Sequence, residues 1–164
     1  MRIDKKHSNW QLLALVMLRV MIGWHFLYEG LVKLYDPQWS AANFLLESKW
    51  IFAGLYKAIA ANPPVLSVVN VLNTWGLILI GLGLILGCLT RTATLSGMLL
   101  ILLYYFSNPP FIGLYYAIPS EGNYLIVNKN LIELAALFVL LLFPTGSIIG
   151  VDRFIYRLRS KEVR

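Results

Sequence analysis

Cysteine and histidine are scarce in this sequence. Cys88 is the only cysteine, which excludes an intramolecular disulfide, a C-x-x-C redox pair and a multi-cysteine metal site. His7 and His25 are the only histidines. His7 precedes the first apolar run, so the two cannot bracket a haem across two helices. We therefore expect the chain to have no redox centre of its own and to depend on a partner for electrons.

Charged residues are also few. They make up 13% of the chain, against about 25% in an ordinary soluble domain, whereas 59% of the residues are hydrophobic and the mean hydropathy is +0.69. This composition predicts an integral membrane protein with a single domain over residues 1–164. The net charge of +6 does not indicate nucleic-acid binding, because the basic residues flank apolar segments instead of forming a patch.

Long apolar runs predict an all-α fold, an integral membrane four-helix bundle. Prolines and short polar turns separate the runs. The first run resembles a signal peptide, but Arg19 interrupts it and no small-residue cleavage site follows, so we expect it to be retained. The predicted spans are residues 10–34, 65–89, 92–106 and 128–143.

The segments between and after the spans have a mixed character. Residues 39–61 combine tryptophans and a tyrosine with Glu47, Lys49 and Lys57, which predicts one amphipathic interfacial helix between spans 1 and 2. The aromatic residues of the 107–127 loop suit a membrane surface. Residues 145–164 form a basic tail, which we expect to lie on the cytoplasmic surface.

The distribution of lysine and arginine predicts the orientation. With four spans, nine of these residues share a side with both termini and three lie on the other side. The positive-inside rule then places both termini in the cytoplasm, with the chain as a multi-pass membrane protein in contact with lipid.

The first span carries an unusual polar face. Arg19, His25, Glu29 and Lys33 fall within an arc of about 120° at 100° per residue. An ionisable group exposed to lipid costs about 2.5–3.5 kcal/mol on insertion scales. Four such groups on one helix therefore need partners or a wet cavity.

Other predicted spans bring polar groups to the same level of the membrane. In the predicted topology, spans 2 and 4 begin on the outer side, near the depth of His25 and Glu29. The polar residues at their outer ends are Asn70, Asn73, Asn128, Asn130 and Glu133. This convergence predicts a pocket in the outer half of the membrane. The alternative is purely structural: asparagines join helices, and Lys33 extends to the headgroups.

A quinone ring suits such a pocket, because it needs donors at its carbonyls and a group that moves protons. We predict His25 and Glu29, one helical turn apart, as the proton-handling, catalytic pair. The predicted quinone-binding residues are Arg19, Lys33, Asn73, Trp75, Asn130 and Glu133. His25, Glu29 and Glu133 are the alternative ligands of a metal site, but we predict no metal there, and no flavin motif is evident.

Several short motifs resemble the DoxX family of small four-helix bacterial membrane proteins, which includes relatives of the DoxD subunit of thiosulfate:quinone oxidoreductase. They are RVMIGWHFLYEG over residues 19–30 with Lys33, GLILGCLTR over residues 83–91, NLIELA over residues 130–135, and Gly150-Val151-Asp152. The family's second span often carries an acidic residue before its glycines. Here Asn73 stands in that region.

The resemblance implies a membrane subunit of a redox complex that binds quinone and accepts electrons from a partner oxidoreductase. Two alternatives stay open. In the first, the chain is a non-catalytic anchor or assembly protein for a periplasmic partner. In the second, it is a small proton-linked transport element. The sequence also leaves open assembly with further copies of the same chain.

Overall fold

The computed structural model describes residues 9–117 and 125–154, and within these ranges the regular structure is helical. The all-α prediction is confirmed. The helices are α1 (Asn9–Tyr35), α2 (Ala42–Leu46), α3 (Ala53–Ala60), α4 (Pro63–Leu86), α5 (Thr90–Ser107) and α6 (Lys129–Leu142), followed by a 3-10 turn over Thr145–Ser147. Of these, α1 and α4 are long and apolar enough to cross a membrane.

Asparagine, proline and glycine set the ends of the later helices. Asn62 accepts a hydrogen bond from the backbone N–H of Val65, and the prolines at the start of α4 need no partner for their nitrogens. Asn128 caps α6 in the same way, through the N–H of Leu131. Gly87 ends α4 with φ +67°, a conformation that glycine adopts without strain.

Glycines allow α1 and α4 to pack closely along their length. A Cβ at Gly81 would lie 2.5 Å from the backbone nitrogen of Leu27 and 2.7 Å from the carbonyl oxygen of Gly23. Gly30 is similarly close to Ile78. Since backbone atoms cannot move aside cheaply, this helix pair requires glycine at these positions. Gly76 has open space around it instead.

The four longer helices surround one hydrophobic core. α4 packs on α1 and α5, α5 packs on α6, and α6 meets α1 over a smaller area. Leu84 and Leu137 are completely buried in this core, and Phe26 is nearly so. The arrangement brings the polar faces of α1 and α6 next to each other.

The prediction of one continuous amphipathic helix over residues 39–61 is wrong, because the structure has two short helices there, α2 and α3. Polar residues in the break bond to the segment after α5. Ser48 Oγ donates to the carbonyl of Ser107 at 2.9 Å, Lys49 donates to the carbonyl of Tyr115, and Glu47 accepts from the N–H of Ala117. These contacts turn the chain where a helix would otherwise continue.

The start of the predicted surface tail is folded into the protein. Thr145 and Asp152 are buried, and the N–H of Asp152 donates to the carbonyl of Gly87. Residues 145–154 therefore pack under the turn between α4 and α5, although we expected them on the membrane surface. The rest of the predicted basic tail, residues 155–164, lies outside the described residues, as do residues 118–124 of the aromatic loop.

Candidate ligand-binding cavity

A cavity of about 770 Å³ lies among α1, the α2–α3 segment, α4, α5 and the start of α6. It is of the size that binds drug-sized ligands in other proteins. Its walls are mainly apolar. Among the residues that the structure describes, the ionisable ones in the walls other than tyrosine come from α1 and α6, and they are His25, Glu29, Lys33, Lys129 and Glu133.

His25 and Glu133 form a polar contact between α1 and α6. The Nδ1 atom of His25 lies 2.8 Å from Oε1 of Glu133, and the Glu133 side chain is only 12% exposed. An ionised carboxylate only accepts hydrogen bonds, so with Glu133 ionised Nδ1 of His25 is the donor in this contact. We expected Glu29 to pair with His25, but in the structure Glu133 takes that position.

Glu29 pairs with Lys33 one turn further along α1. Lys33 Nζ lies 3.7 Å from a Glu29 carboxylate oxygen and donates to Oδ1 of Asn73 at 3.3 Å. It also lies 5.2 Å from the ring centre of Trp39 and 5.6 Å from that of Tyr104, so both rings contribute cation–π contacts. Lys33 is therefore held inside the cavity and does not extend freely to a surface.

Asn73 and Tyr104 extend this polar cluster to α4 and α5. The amide of Asn73 donates to the Tyr104 hydroxyl at 2.5 Å while its oxygen accepts from Lys33. Asn130 also lines the cavity, beside Glu133 on α6. The structure thus brings together six of the eight predicted site residues, namely His25, Glu29, Lys33, Asn73, Asn130 and Glu133.

Arg19 and Trp75, the other two predicted binding residues, lie elsewhere. Arg19 donates to the hydroxyl of Thr145 at 3.0 Å and to the carbonyl of Ile149 at 2.9 Å, so its guanidinium joins α1 to the segment after α6. Trp75 lies on the outer surface of α4 and is 50% exposed. Helical periodicity placed Arg19 on the correct face but could not show that its partners come from residues 145–149.

Asp152 joins the segment after α6 to the turn between α4 and α5. Its carboxylate accepts hydrogen bonds from the N–H groups of Leu89 and Thr90, at 2.6 and 3.0 Å, and from the Thr90 hydroxyl at 2.6 Å. Burial alone would raise the pKa of Asp152. The hydrogen bonds from Thr90 and Leu89 and the charge of Arg19 nevertheless keep this pKa below its ordinary value.

Sequence reasoning missed Tyr104 and Trp39 as cavity residues. Both contact Lys33, and Tyr104 also binds Asn73. Tyr104 stood in an apolar, aromatic run with no polar neighbour to single it out. Trp39 looked like an interfacial anchor, although its position just after the Asp36-Pro37 break, near Lys33, was a usable signal.

The chain matches the model of a known protein family. The DoxX family model matches residues 14–108, more than half of the chain and all the helices from α1 to α5 except the first residues of α1. The chain belongs to the DoxX family. No curated protein and no solved structure matches it.

DoxX membership agrees with the resemblance seen in the sequence, and it indicates that the cavity belongs to a membrane protein. Together with the two long apolar helices, it identifies the chain as a membrane protein. The matched region contains His25, Glu29, Lys33 and Asn73. Glu133 and the Asp152 junction lie beyond it, and the fold brings them to the matched helices.

Proposed function

We propose that the cavity binds the ring of a quinone and that the chain is the membrane subunit of a redox complex, in which a partner oxidoreductase supplies the electrons. The observation that carries this proposal is the His25–Glu133 contact in the wall of a 770 Å³, largely apolar cavity. A bound quinone would supply reversible two-electron, two-proton chemistry.

The residues present fit such a ring. An aromatic ring needs apolar walls, which Phe26, Phe44 and Leu77 provide, and its carbonyl oxygens need donors at a few fixed points. His25 and the amide of Asn130 are candidate donors at the α1–α6 end. The ammonium of Lys33, two turns from His25 on α1, is a further donor.

His25 and Glu133 would handle the proton. In its protonated form, with Nδ1 directed at Glu133, His25 would hold a proton at Nε2 and could give it to a quinone oxygen when the ring accepts electrons, and the neutral imidazole would then take up another proton. The carboxylate of Glu133 balances the charge of the imidazolium. Glu133 acts by orienting the ring of His25 and stabilising its charge. Glu29, which we predicted as the second catalytic residue, lies one turn from His25 and balances the charge of Lys33. Passing a proton onward would require Glu29 to give up that pairing, because a protonated carboxyl group carries no charge.

The same proposal includes the membrane arrangement. α1, α4, α5 and α6 form a four-helix membrane bundle in the bacterial inner membrane, with both termini cytoplasmic and the cavity in the outer half. Trp50 in the outer segment suits that interface, and the excess of lysine and arginine beside the termini supports the orientation.

The test is whether quinone accompanies the protein. The full chain is purified from bacterial membranes in mild detergent, and its extracted lipids are analysed by mass spectrometry. We expect quinone in a constant ratio to protein, and less of it with His25→Ala. Trp75→Phe is the control, because Trp75 lies outside the cavity. The proposal fails if quinone is absent, or if its ratio is the same in all three proteins.

A second candidate function is an anchor for a periplasmic partner. It is favoured by apolar side chains at the outer turns, where Ile51 is 69% exposed, Ile112 83% and Tyr115 84%. Serine substitutions at these three positions would abolish capture of the partner and leave quinone content unchanged. If the anchor role is correct and the quinone role is not, His25→Ala has no effect on the assembled complex.

A further inference from the structure

The cavity is divided into a charged end and an apolar end, and the division follows the helices. The histidine, carboxylates and ammonium groups come from α1 and α6. The α3 helix contributes Phe52, Leu55, Tyr56 and Ile59, and the hydroxyl of Tyr56 already donates to the carbonyl of Leu103. The α3 end therefore presents an essentially apolar wall.

Four apolar residues at this end line the cavity and are also exposed on the outside of the protein. Leu72 of α4 is 66% exposed, Leu55 of α3 60%, Leu103 of α5 45% and Phe52 of α3 44%. By contrast, Leu77 and Ile101, deeper in the same cavity, are 2% and 3% exposed. The cavity thus reaches the outer surface of the protein where α3, α4 and α5 meet.

We propose that this opening is the tail exit of the quinone site, and that the cavity selects quinones with a long apolar tail. The inference rests on the proposed function. The ring lies at the α1–α6 end, and the tail passes over Leu72, Leu55 and Leu103 into the surrounding lipid.

Size and chemistry both support an occupant with a tail. A single ring with its substituents fills only part of a 770 Å³ cavity, and the remaining volume has aliphatic and aromatic walls that do not replace the hydrogen bonds of water. An isoprenoid or alkyl chain loses no hydrogen bonds there, and the open edge lets it continue into lipid. A tail-less, water-soluble quinone would leave this half of the cavity without a matching partner.

The test narrows the exit with a larger side chain. Leu72→Trp places an indole at the opening, and Leu79→Trp is the matched control, since Leu79 lies two turns further along α4, is 63% exposed and does not line the cavity. Each full-length protein is reconstituted in nanodiscs of phosphatidylethanolamine and phosphatidylglycerol. Two probes are titrated: a dimethoxy-methyl-benzoquinone with no tail, and the same ring with a decyl tail.

Comparing variants with the same probe removes differences in how the probes partition into lipid. We expect Leu72→Trp to weaken binding of the decyl probe by about tenfold and that of the tail-less ring by less than about twofold, whereas Leu79→Trp changes neither. Leu103→Trp, with Leu99→Trp as its control, repeats the comparison on α5 if the first variant does not fold.

Three results would overturn the inference. Equal weakening of both probes by Leu72→Trp would mean that the ring site itself is disturbed. Unchanged binding of the decyl probe to both Leu72→Trp and Leu103→Trp would exclude this exit. In these cases the ring still binds, so the proposed function survives. If neither probe binds the unmodified protein, both proposals fail.

Discussion

Nδ1 of His25 on α1 lies 2.8 Å from Oε1 of Glu133 on α6, and this contact joins two residues that are 108 positions apart. It lies between α1 and α6, whose interface is smaller than those between α1 and α4, α4 and α5, and α5 and α6. The contact therefore serves the architecture as well as the proposed chemistry, and the two roles can be measured separately.

The structural role is tested by a double-mutant cycle. His25→Ala and Glu133→Ala should show a coupling energy of about 0.5–3 kcal/mol in thermal unfolding, because directly bonded partners do not act additively. The comparison cycle pairs His25→Ala with Glu29→Ala and should show a smaller coupling energy, because Glu29 has its own partner in Lys33. A larger coupling to Glu29 than to Glu133 would show that the sequence-based pairing was right.

Lys33 depends on several neighbours at once. Lys33→Met keeps the length of the side chain but removes the partner of Glu29 and the donor to Asn73, so we expect a loss of about 1–3 kcal/mol in unfolding free energy. Adding Glu29→Gln should restore part of this loss, since it removes the unpaired carboxylate. A double variant that is less stable than Lys33→Met would contradict this account of the cluster.

Gly81 is the most restrictive position between α1 and α4. Gly81→Ala places a methyl group 2.5 Å from the backbone nitrogen of Leu27, and the strain should cost about 1–3 kcal/mol or prevent folding. Gly76→Ala is the matched control on the same helix. It meets nothing within 4 Å and should be neutral or stabilising by up to about 1 kcal/mol, as alanine favours helix. Melting curves of both variants decide the point.

Asp152 makes the stability of the α4–α5 turn depend on pH. Its pKa is depressed, so its contribution is complete above the ordinary carboxyl value of about 4 and is lost as the pH falls through the lower folded-state value. Asp152→Asn should therefore lower stability by about 1–3 kcal/mol at pH 7, and the difference from the unmodified protein should shrink in acid.

The control for Asp152 is Asp36→Asn, which alters an exposed carboxylate whose partner is the N–H of its near neighbour Gln38. It should have little effect at either pH. A stability difference for Asp152→Asn that is the same at pH 7 and at pH 3 would mean that the carboxylate charge is not what holds the turn.

Much of the fold could be predicted from hydrophobic runs and proline breaks. The predicted first span, residues 10–34, coincides with α1 to within one residue at each end. Periodicity also placed His25, Glu29 and Lys33 on one face. It could not tell which helix faces them, because that depends on how closely α1 and α4 approach, and Gly81, which sets this distance, was not singled out.

The errors have a common physical origin. Arg19 shared the polar face of α1 but finds its partners in residues 145–149, and the break between α2 and α3 is held by residues 107–117. In each case a polar residue in one segment bonds to backbone carbonyls or N–H groups of a distant one, and Arg19 bonds to the Thr145 hydroxyl as well. Such groups are present in every residue and leave no pattern in the sequence.

The central claim is that His25, held by Glu133, contacts a quinone ring in the cavity. The most direct measurement is a titration of the tail-less benzoquinone against the full chain in nanodiscs, with His25→Gln, Glu133→Gln and Trp75→Phe compared with the unmodified protein. We predict that the first two variants weaken binding by about tenfold and that Trp75→Phe leaves it unchanged. Saturable binding that is unaffected by His25→Gln and Glu133→Gln, or no binding to the unmodified protein, would contradict the claim.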